Sequence, residues 1–552
     1  MIGLFILLFI LLGVIVLILG WILSSYLLNV YENEKSTWDM FILPVEKLIY
    51  RVLGVDTTRQ MSWKEYFLAL FFFTGFAAIL AYLVLVFQGY LPLNPMRFHN
   101  LNWSLALNTV LSFSSNTNLQ HYGGGSTLSY FSQMMAIQFL QFISAADGVV
   151  VALAIFRGFA GKKNGNDGIG NFYFDFVRTI TRVLIPLSFV SAIILIALGV
   201  PQSLSGYEVV RTFTGAFQTI KVGPIASMQS IMQIGTNGGG YFGSNNYTPF
   251  ENPSPLTDFM QMGMMMLIPT AMPFLFGRML RRRNEGRTVL IASYGLYAID
   301  LAIAFVPLTV ISAGMEVRFG GPAAVFYTVT TTAFTTGSVN AALAGMHPLV
   351  VLAAFLGMMI QATPGGIGVG AMYMLMYMVI TVFIVGLMAG RTPEYLGAKI
   401  TEGDVKLAVI AFLAHPILIL VPTLIAYGIG AVHGIGIGTG PKGFTQILYE
   451  YTSAAANNGS DFLGSTGNTV YFNVSTGIVM WIGRFTPIAI MLAIAGRMHG
   501  RKRSREVALR TDNFIFPSIL IVSIFILAVL TFFPFLAIGP ILMHLEGIKS
   551  VL

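Results

Sequence analysis

Runs of about 20 apolar residues recur along the whole chain and alternate with short polar segments. Examples are MIGLFILLFILLGVIVLILGWIL (1–23), YFLALFFFTGFAAILAYLVLVF (66–87) and FIFPSILIVSIFILAVLTFFPFL (514–536). As a helix, each is long enough to cross a bilayer core of about 30 Å. The pattern predicts ten spans, near 2–29, 66–89, 128–157, 176–200, 257–277, 288–313, 346–390, 404–430, 474–496 and 514–538. The connections after spans two, four, six and eight are too long for turns. Each holds an apolar stretch too short to cross: WSLALNTVLSFSSNTNLQ (103–120), IASMQSIMQIGTNGGG (225–240), PAAVFYTVTTTAFTTGSVN (322–340) and FTQILYEYTSAAANNGS (444–460). Such a stretch reads as a re-entrant helix of about ten residues. Small polar residues and a return outward follow it.

The unit of span, short helix, polar loop and span therefore occurs four times, and an internal repeat sets the architecture. The predicted fold class is an all-α integral membrane protein. Four pseudo-fourfold membrane–pore-helix–membrane repeats carry one flanking span at each end. The expected divisions are 1–65 (first span and cytoplasmic linker), 66–160, 161–280, 281–400 and 401–500 (pore repeats), and 501–552 (last span and outside C-terminus).

Aligned by their small residues, the four loops read Asn116-Thr117-Asn118, Thr236-Asn237-Gly238, Thr335-Thr336-Gly337 and Asn457-Asn458-Gly459. The third position holds Gly three times and Asn once. Those residues best tolerate positive φ, so one backbone turn is expected four times. Non-helical backbone at membrane depth survives only where it is buried in protein or lines water. Four such loops around a pseudo-fourfold axis would point carbonyl oxygens inward, replacing the hydration shell of a cation. The C-terminal ends of the short helices, each carrying about half a negative charge, would favour cations there. These twelve residues are the candidate filter.

Composition narrows the class. The chain of 552 residues is 55% hydrophobic and only 10% charged, whereas soluble domains carry about a quarter charged residues. It has no Cys, which excludes disulfides and thiolate chemistry. Its seven His show no metal-ligand spacing. The first segment lacks a basic n-region and a small-residue cleavage site, and is expected to stay as an uncleaved span. The net charge of +8 sits mainly in five loops, 31–65, 157–182, 278–287, 391–406 and 497–510. The positive-inside rule places those loops in the cytoplasm and both termini outside. Topology thus accounts for the charge, with lipid headgroups as neighbours and nucleic acid not expected as a partner.

Three charges fall inside or near the ends of spans: Asp147, Asp300 and Arg484. Charge at that depth is costly and points to function. Arg484 is expected below the filter, repelling a cation until a gate moves, whereas Asp147 and Asp300 are expected to satisfy helix contacts. The stretch GMMIQATPGGIGVGAMY (357–373) interrupts a seventh span that is too long for one crossing. Broken helices mark gates or ion sites in transporters, so Gln361, Pro364, Gly365 and Gly366 join Arg484 as gate or coupling candidates. The Met-rich run MQMGMMML (260–267) is expected to face lipid or fill packing gaps.

GTNGGGYFGSNNYTPFENP (235–253), GRTPEYLGAKI (390–400) and YEYTSAAANNGS (449–460) closely resemble the A subunit of the Kdp-type potassium-transporting ATPase. GNFYFDFVRTITRVLIPLS (170–188) and AADGVVVALAIFRGF (145–159) are similar as well, so the resemblance covers most of the chain. It implies a potassium-selective subunit of a bacterial or archaeal plasma membrane complex that imports potassium with high affinity. A separate P-type ATPase subunit would supply the energy, small single-span subunits would complete the complex, and a tunnel would lead from below the filter to the ATPase. Potassium would be the transported ion, held at the twelve filter residues, with Gln120 matching a family glutamine at the filter mouth. Thr335-Thr336-Gly337 stands where the family carries Ser-Cys-Gly; carbonyl ligation survives that change and any thiol role does not.

The chain itself holds no D-K-T-G and no P-loop. FAGKK (159–163) lacks the first Gly and the Ser/Thr. ATP binding by this chain is not expected, so energy must come from a partner. The rival reading is a stand-alone potassium channel or symporter subunit of the same superfamily. A membrane enzyme finds no paired acid and base to support it.

Overall fold

The structure, a computed structural model, describes residues 2–32, 39–162, 168–243, 246–307, 318–504 and 510–549. Lys35, Lys163, Ser244, Asn245, Arg505 and the expected end of the sixth span at 313 lie outside the described residues. Within them, ten helices are long and apolar enough to cross a membrane. Spans 1 to 5 are Phe5–Tyr31, Trp63–Val86, Tyr130–Ala160, Phe172–Ala197 and Pro255–Met279. Spans 6 to 10 are Arg283–Phe305, Val369–Met388, Glu402–Gly428, Val470–His499 and Phe516–Gly547. The protein is an all-α integral membrane protein. Among the described residues, its sheet consists of two small hairpins, Glu208–Arg211 with Phe217–Ile220 and Glu394–Tyr395 with Ala398–Lys399.

Four short helices follow spans 2, 4, 6 and 8 as the repeat requires: Trp103–Ser114, Ile225–Ile234, Gly321–Ala333 and Gly440–Ala456. They are termed pore helices 1 to 4. Each is almost wholly buried, because the spans of its own repeat and its neighbours wrap it. Burial grades the spans. Only 17% of the most apolar window of span 1 is buried, against 89% for span 3. Span 1 therefore faces lipid at the periphery, and span 3 is central. In the Met-rich run, Met262, Met264, Met265 and Met266 are buried, so these side chains pack the interior.

The predicted stretch 346–390 is two helices. Pro348–Ile360 ends at Gln361, whose φ of 56° is left-handed, and Val369–Met388 begins after Gly368. Pro364, without an N–H, and the glycines between favour an irregular path.

The linker between spans 1 and 2 holds one element that the sequence pattern left unassigned, an amphipathic helix over Asp39–Leu53. Arg182 of span 4 fixes it. The guanidinium donates from Nε and Nη2 to the two oxygens of Glu46, each at 2.7 Å, and from Nη1 to Asp39 at 2.6 Å. Arg182 and Glu46 are both buried. Breaking a buried pair strands the remaining charge at a cost of about 3–5 kcal/mol. Glu46→Ala is therefore expected to destabilise the detergent-solubilised protein by about 3 kcal/mol, and Glu46→Ala with Arg182→Met to recover most of it. Thermal unfolding of the two variants is the check.

Candidate functional site: a ring of four loops

Each pore helix runs directly into its polar loop, and at the first two positions the backbone bonds back to the helix in the same way four times. At the first position, the N–H of Asn116, Thr236, Thr335 and Asn457 donates to the carbonyl three residues earlier, at 3.5, 3.2, 3.2 and 3.2 Å. At the second, Thr117, Asn237, Thr336 and Asn458 donate to the carbonyls of Ser112, Met232, Thr331 and Ser453, five residues earlier, at 2.9, 2.9, 2.7 and 2.9 Å. At the third, Gly337 and Gly459 donate to the hydroxyls of Thr331 and Ser453, both at 2.9 Å. Asn118 donates instead to the Ser112 carbonyl at 3.3 Å. The chain conformation repeats as well. First-position residues have φ of 64°, 46°, 49° and 54°, and third-position residues 58°, 75°, 94° and 102°.

The carbonyls are left over. Those of Thr117, Asn237, Thr336 and Asn458 accept no hydrogen bond from any described residue, although all four residues are fully buried. They also define a ring. A Cβ placed on Gly238 would lie 1.9 Å from the Thr336 oxygen, one on Gly337 1.8 Å from the Asn458 oxygen, and one on Gly459 1.9 Å from the Thr117 oxygen. Loop two therefore abuts loop three, three abuts four, and four abuts one. The obstacle is backbone in every case and cannot turn aside.

Asn118 closes the ring differently. Its Nδ2 donates to the Gly238 carbonyl at 2.9 Å. Gly239, at φ 76°, would place a Cβ 3.1 Å from the Asn118 Cβ and 3.1 Å from Gln120 Oε1. Gln120 holds Gly240 at two points, accepting from its N–H at 2.8 Å and donating to its carbonyl at 3.1 Å. Because loop one has a side chain where the others have Gly, the facing strand of loop two must itself be bare. Asn116 and Asn237 tie the same two loops: Asn237 Nδ2 donates to Asn116 Oδ1 at 2.6 Å, and Asn116 Nδ2 to the Thr236 carbonyl at 2.9 Å. The outer return of loop two rests on buried Glu251, which accepts from Thr248 Oγ1 at 2.7 Å and from the Tyr241 N–H. Burial pushes its carboxyl up to about 7 against the pull of those donors.

Beneath the first positions lies a small cavity. Asn116, Thr335 and Asn457 line it from above, with Gln361, Gly366, Tyr373 and Arg484 around it. The segment between the halves of the seventh crossing touches the ring directly. Gly365 N–H donates to the Ala333 carbonyl at 2.7 Å, Ile367 N–H to Thr236 Oγ1 at 2.9 Å. A Cβ on Gly366 would sit 3.4 Å from that of Thr335. Pro364 follows a cis peptide bond in this segment. Gln361 Nε2 lies 3.0 Å from His415 Nδ1. Arg484, mid-span and buried, donates to the Ser144 carbonyl at 3.0 Å. Gln361, Gly366 and Arg484 thus line the cavity, Gly365 is bonded to the end of pore helix 3, and Pro364 lies in the same segment. Asp147, one turn along span 3 from Ser144, accepts from Thr74 Oγ1 at 2.6 Å and is the carboxylate that the Arg484 charge feels. Asp300 is buried with Oδ2 unpartnered among the described residues.

A family model described as the potassium-transporting ATPase A subunit matches residues 10–545. The chain belongs to this family. Curated relatives bear the name potassium-transporting ATPase potassium-binding subunit. The protein of Alicyclobacillus acidocaldarius is 43% identical over 538 residues, 95% of each chain. That of Caldanaerobacter subterraneus is 42% identical over 539 residues, 94% of this chain and 95% of the relative. That of Geobacillus kaustophilus is 43% identical over 533 residues, 93% and 94% of the two.

The anchors of the third positions are not among the site residues that the sequence predicts. Three loops have a hydroxyl six residues before the third position: Ser112, Thr331 and Ser453; loop two has Met232. Extending the loop alignment back into the helices exposes that register. Gly459→Ala is expected to destabilise the protein by about 3 kcal/mol, through overpacking and positive φ together. Gly428→Ala, with nothing within 4 Å of the new methyl, is expected to be neutral. Thermal unfolding of the purified complex with each variant measures the contrast.

Proposed function

We propose that this chain is the potassium-selective binding and translocation subunit of an ATP-driven, high-affinity potassium import complex. The observation that carries the reading is the ring itself. Among the described residues four buried carbonyls lack donors, the N–H groups of the same residues are bonded back to the pore helices, and four pore helices end at the loops that form the ring. Hard oxygen dipoles held in that way suit a monovalent cation stripped of water. The names of the relatives add potassium as the ion and an ATPase as the assembly.

In this reading, extracellular potassium enters past Gln120, binds among the twelve filter residues, and meets the cavity below. Arg484 raises the electrostatic barrier there, and the segment containing Gln361, Pro364, Gly365 and Gly366 is the movable floor. A P-type ATPase subunit, with small single-span subunits, supplies the energy that this chain has no motif to extract. The complex sits in a bacterial or archaeal plasma membrane with both termini of this chain outside, an orientation that the five basic loops support.

Gly238→Asp places a carboxylate against the Thr336 carbonyl and distorts the ring. The apparent potassium affinity of ATP hydrolysis by the assembled complex is expected to fall at least about tenfold, with rubidium uptake falling in parallel. Unchanged affinity would show that the ring is not the filter.

A further inference from the structure

At the outer side of the ring, side chains from distant parts of the chain meet around His121. Its imidazole is buried, with Nδ1 2.8 Å from Asn473 Oδ1 and Nε2 3.0 Å from Glu450 Oε1. His121 follows loop one, Glu450 lies on pore helix 4, and Asn473 lies on span 9. Asn473 donates from Nδ2 to Asn468 Oδ1 at 2.9 Å and to Ser104 Oγ at 3.3 Å. That turns its Oδ1 toward the imidazole, and Oδ1 only accepts, so His121 Nδ1 carries hydrogen.

A neutral imidazole would then present Nε2 to the carboxylate as a bare lone pair. Two acceptors 3.0 Å apart, away from water, repel each other. One proton must therefore lie between Nε2 and Oε1. Glu450 Oε2 is buried and has no hydrogen-bond partner among the described residues. A Cβ on Gly467 would lie 2.8 Å from His121 Cδ2, so the segment after loop four is seated on the imidazole and seals it. The contact joins the two loops that meet where Gly459 abuts the Thr117 carbonyl.

We propose that His121 and Glu450 are positioning residues for potassium capture. One proton held between them locks loop one against loop four, and its loss to an alkaline external medium loosens the ring and lowers potassium affinity. This rests on the filter reading above. Among the described residues the Asp461 carboxyl, two residues past Gly459, also faces the pair; Tyr449 and Tyr451 flank Glu450 on the same helix, with Tyr471 beside Tyr451. Burial by itself lowers the pKa of His121, but the Glu450 carboxylate, with Asn473 and Asp461, outweighs it and holds the pKa above the ordinary imidazole value. For a group whose folded pKa is raised, the stabilisation is complete below the ordinary value and is lost as pH rises through the raised one. The effect belongs on the alkaline side.

The test uses the assembled complex and reads the half-saturating potassium concentration of ATP hydrolysis from about pH 6.5 to about pH 9.5. In Glu450→Gln the new amide donates to Nε2 and no proton is required. The ratio of wild-type to variant half-saturation is expected to start near one and to rise about tenfold across the range. Using the ratio removes the pH dependence of the ATPase itself. A ratio that stays constant overturns the proposal. If Glu450→Gln does not assemble, His121→Gln with Glu450→Gln pairs two amides and gives the same readout. Gly238→Asp separates the two readings. If it leaves affinity unchanged, the filter reading falls and takes this proposal with it; if it abolishes affinity while the Glu450→Gln ratio stays flat, only the proton clamp falls.

Discussion

A backbone carbonyl deep inside a membrane protein needs a donor, water or a cation, and leaving it with none costs about 1–3 kcal/mol. The four loops meet this constraint by bonding their N–H groups back to the pore helices while the carbonyls of Thr117, Asn237, Thr336 and Asn458 have no donor among the described residues. Everything around the ring serves that division. The pore helices are short because they must end at the ring. The spans wrap them because unpaired backbone is tolerated only inside protein. The broken seventh crossing lies underneath because only irregular backbone can donate upward to Ala333 and Thr236.

Magnitudes explain why Thr is accepted at positive φ. Thr236 and Thr335, at 46° and 49°, adopt a left-handed conformation that costs a β-branched residue about 1–2 kcal/mol each. Turning the loop back to relieve it would strand two N–H groups per loop, which costs more. The backbone bonds therefore win. The third position has no such choice. There the neighbouring carbonyl occupies the place of a Cβ, and only loop one, with Asn118 bonded across to Gly238, departs from Gly.

Much of the fold was legible because it depends on local composition and period. The apolar runs marked the spans, and their interruption by Pro364 and glycines marked the broken crossing. Third-position glycines announced positive φ, since that preference belongs to the residue itself. The first-position residues were not legible in the same way. Nothing in Thr or Asn demands φ near 50°; the pore helix behind the loop imposes it. Gly239 is a similar case, meaningful only against the Asn118 side chain. The helix over Asp39–Leu53 was missed because its apolar residues are interrupted by a proline and charges and form no run long enough to cross, and a buried Arg182 from span 4 holds it.

The sequence by itself determined the membrane class, the fourfold repeat, the basic asymmetry of the loops and the positions where backbone leaves the helix. Periodicity, charge and glycine content act over a few residues and are written into the chain directly. Only the tertiary structure decided which loop abuts which, why Gly239 is bare, and that His121 meets Glu450 across 329 positions of sequence. Those facts depend on how the four repeats close into a ring. Closure brings together residues whose local sequence carries no sign of one another.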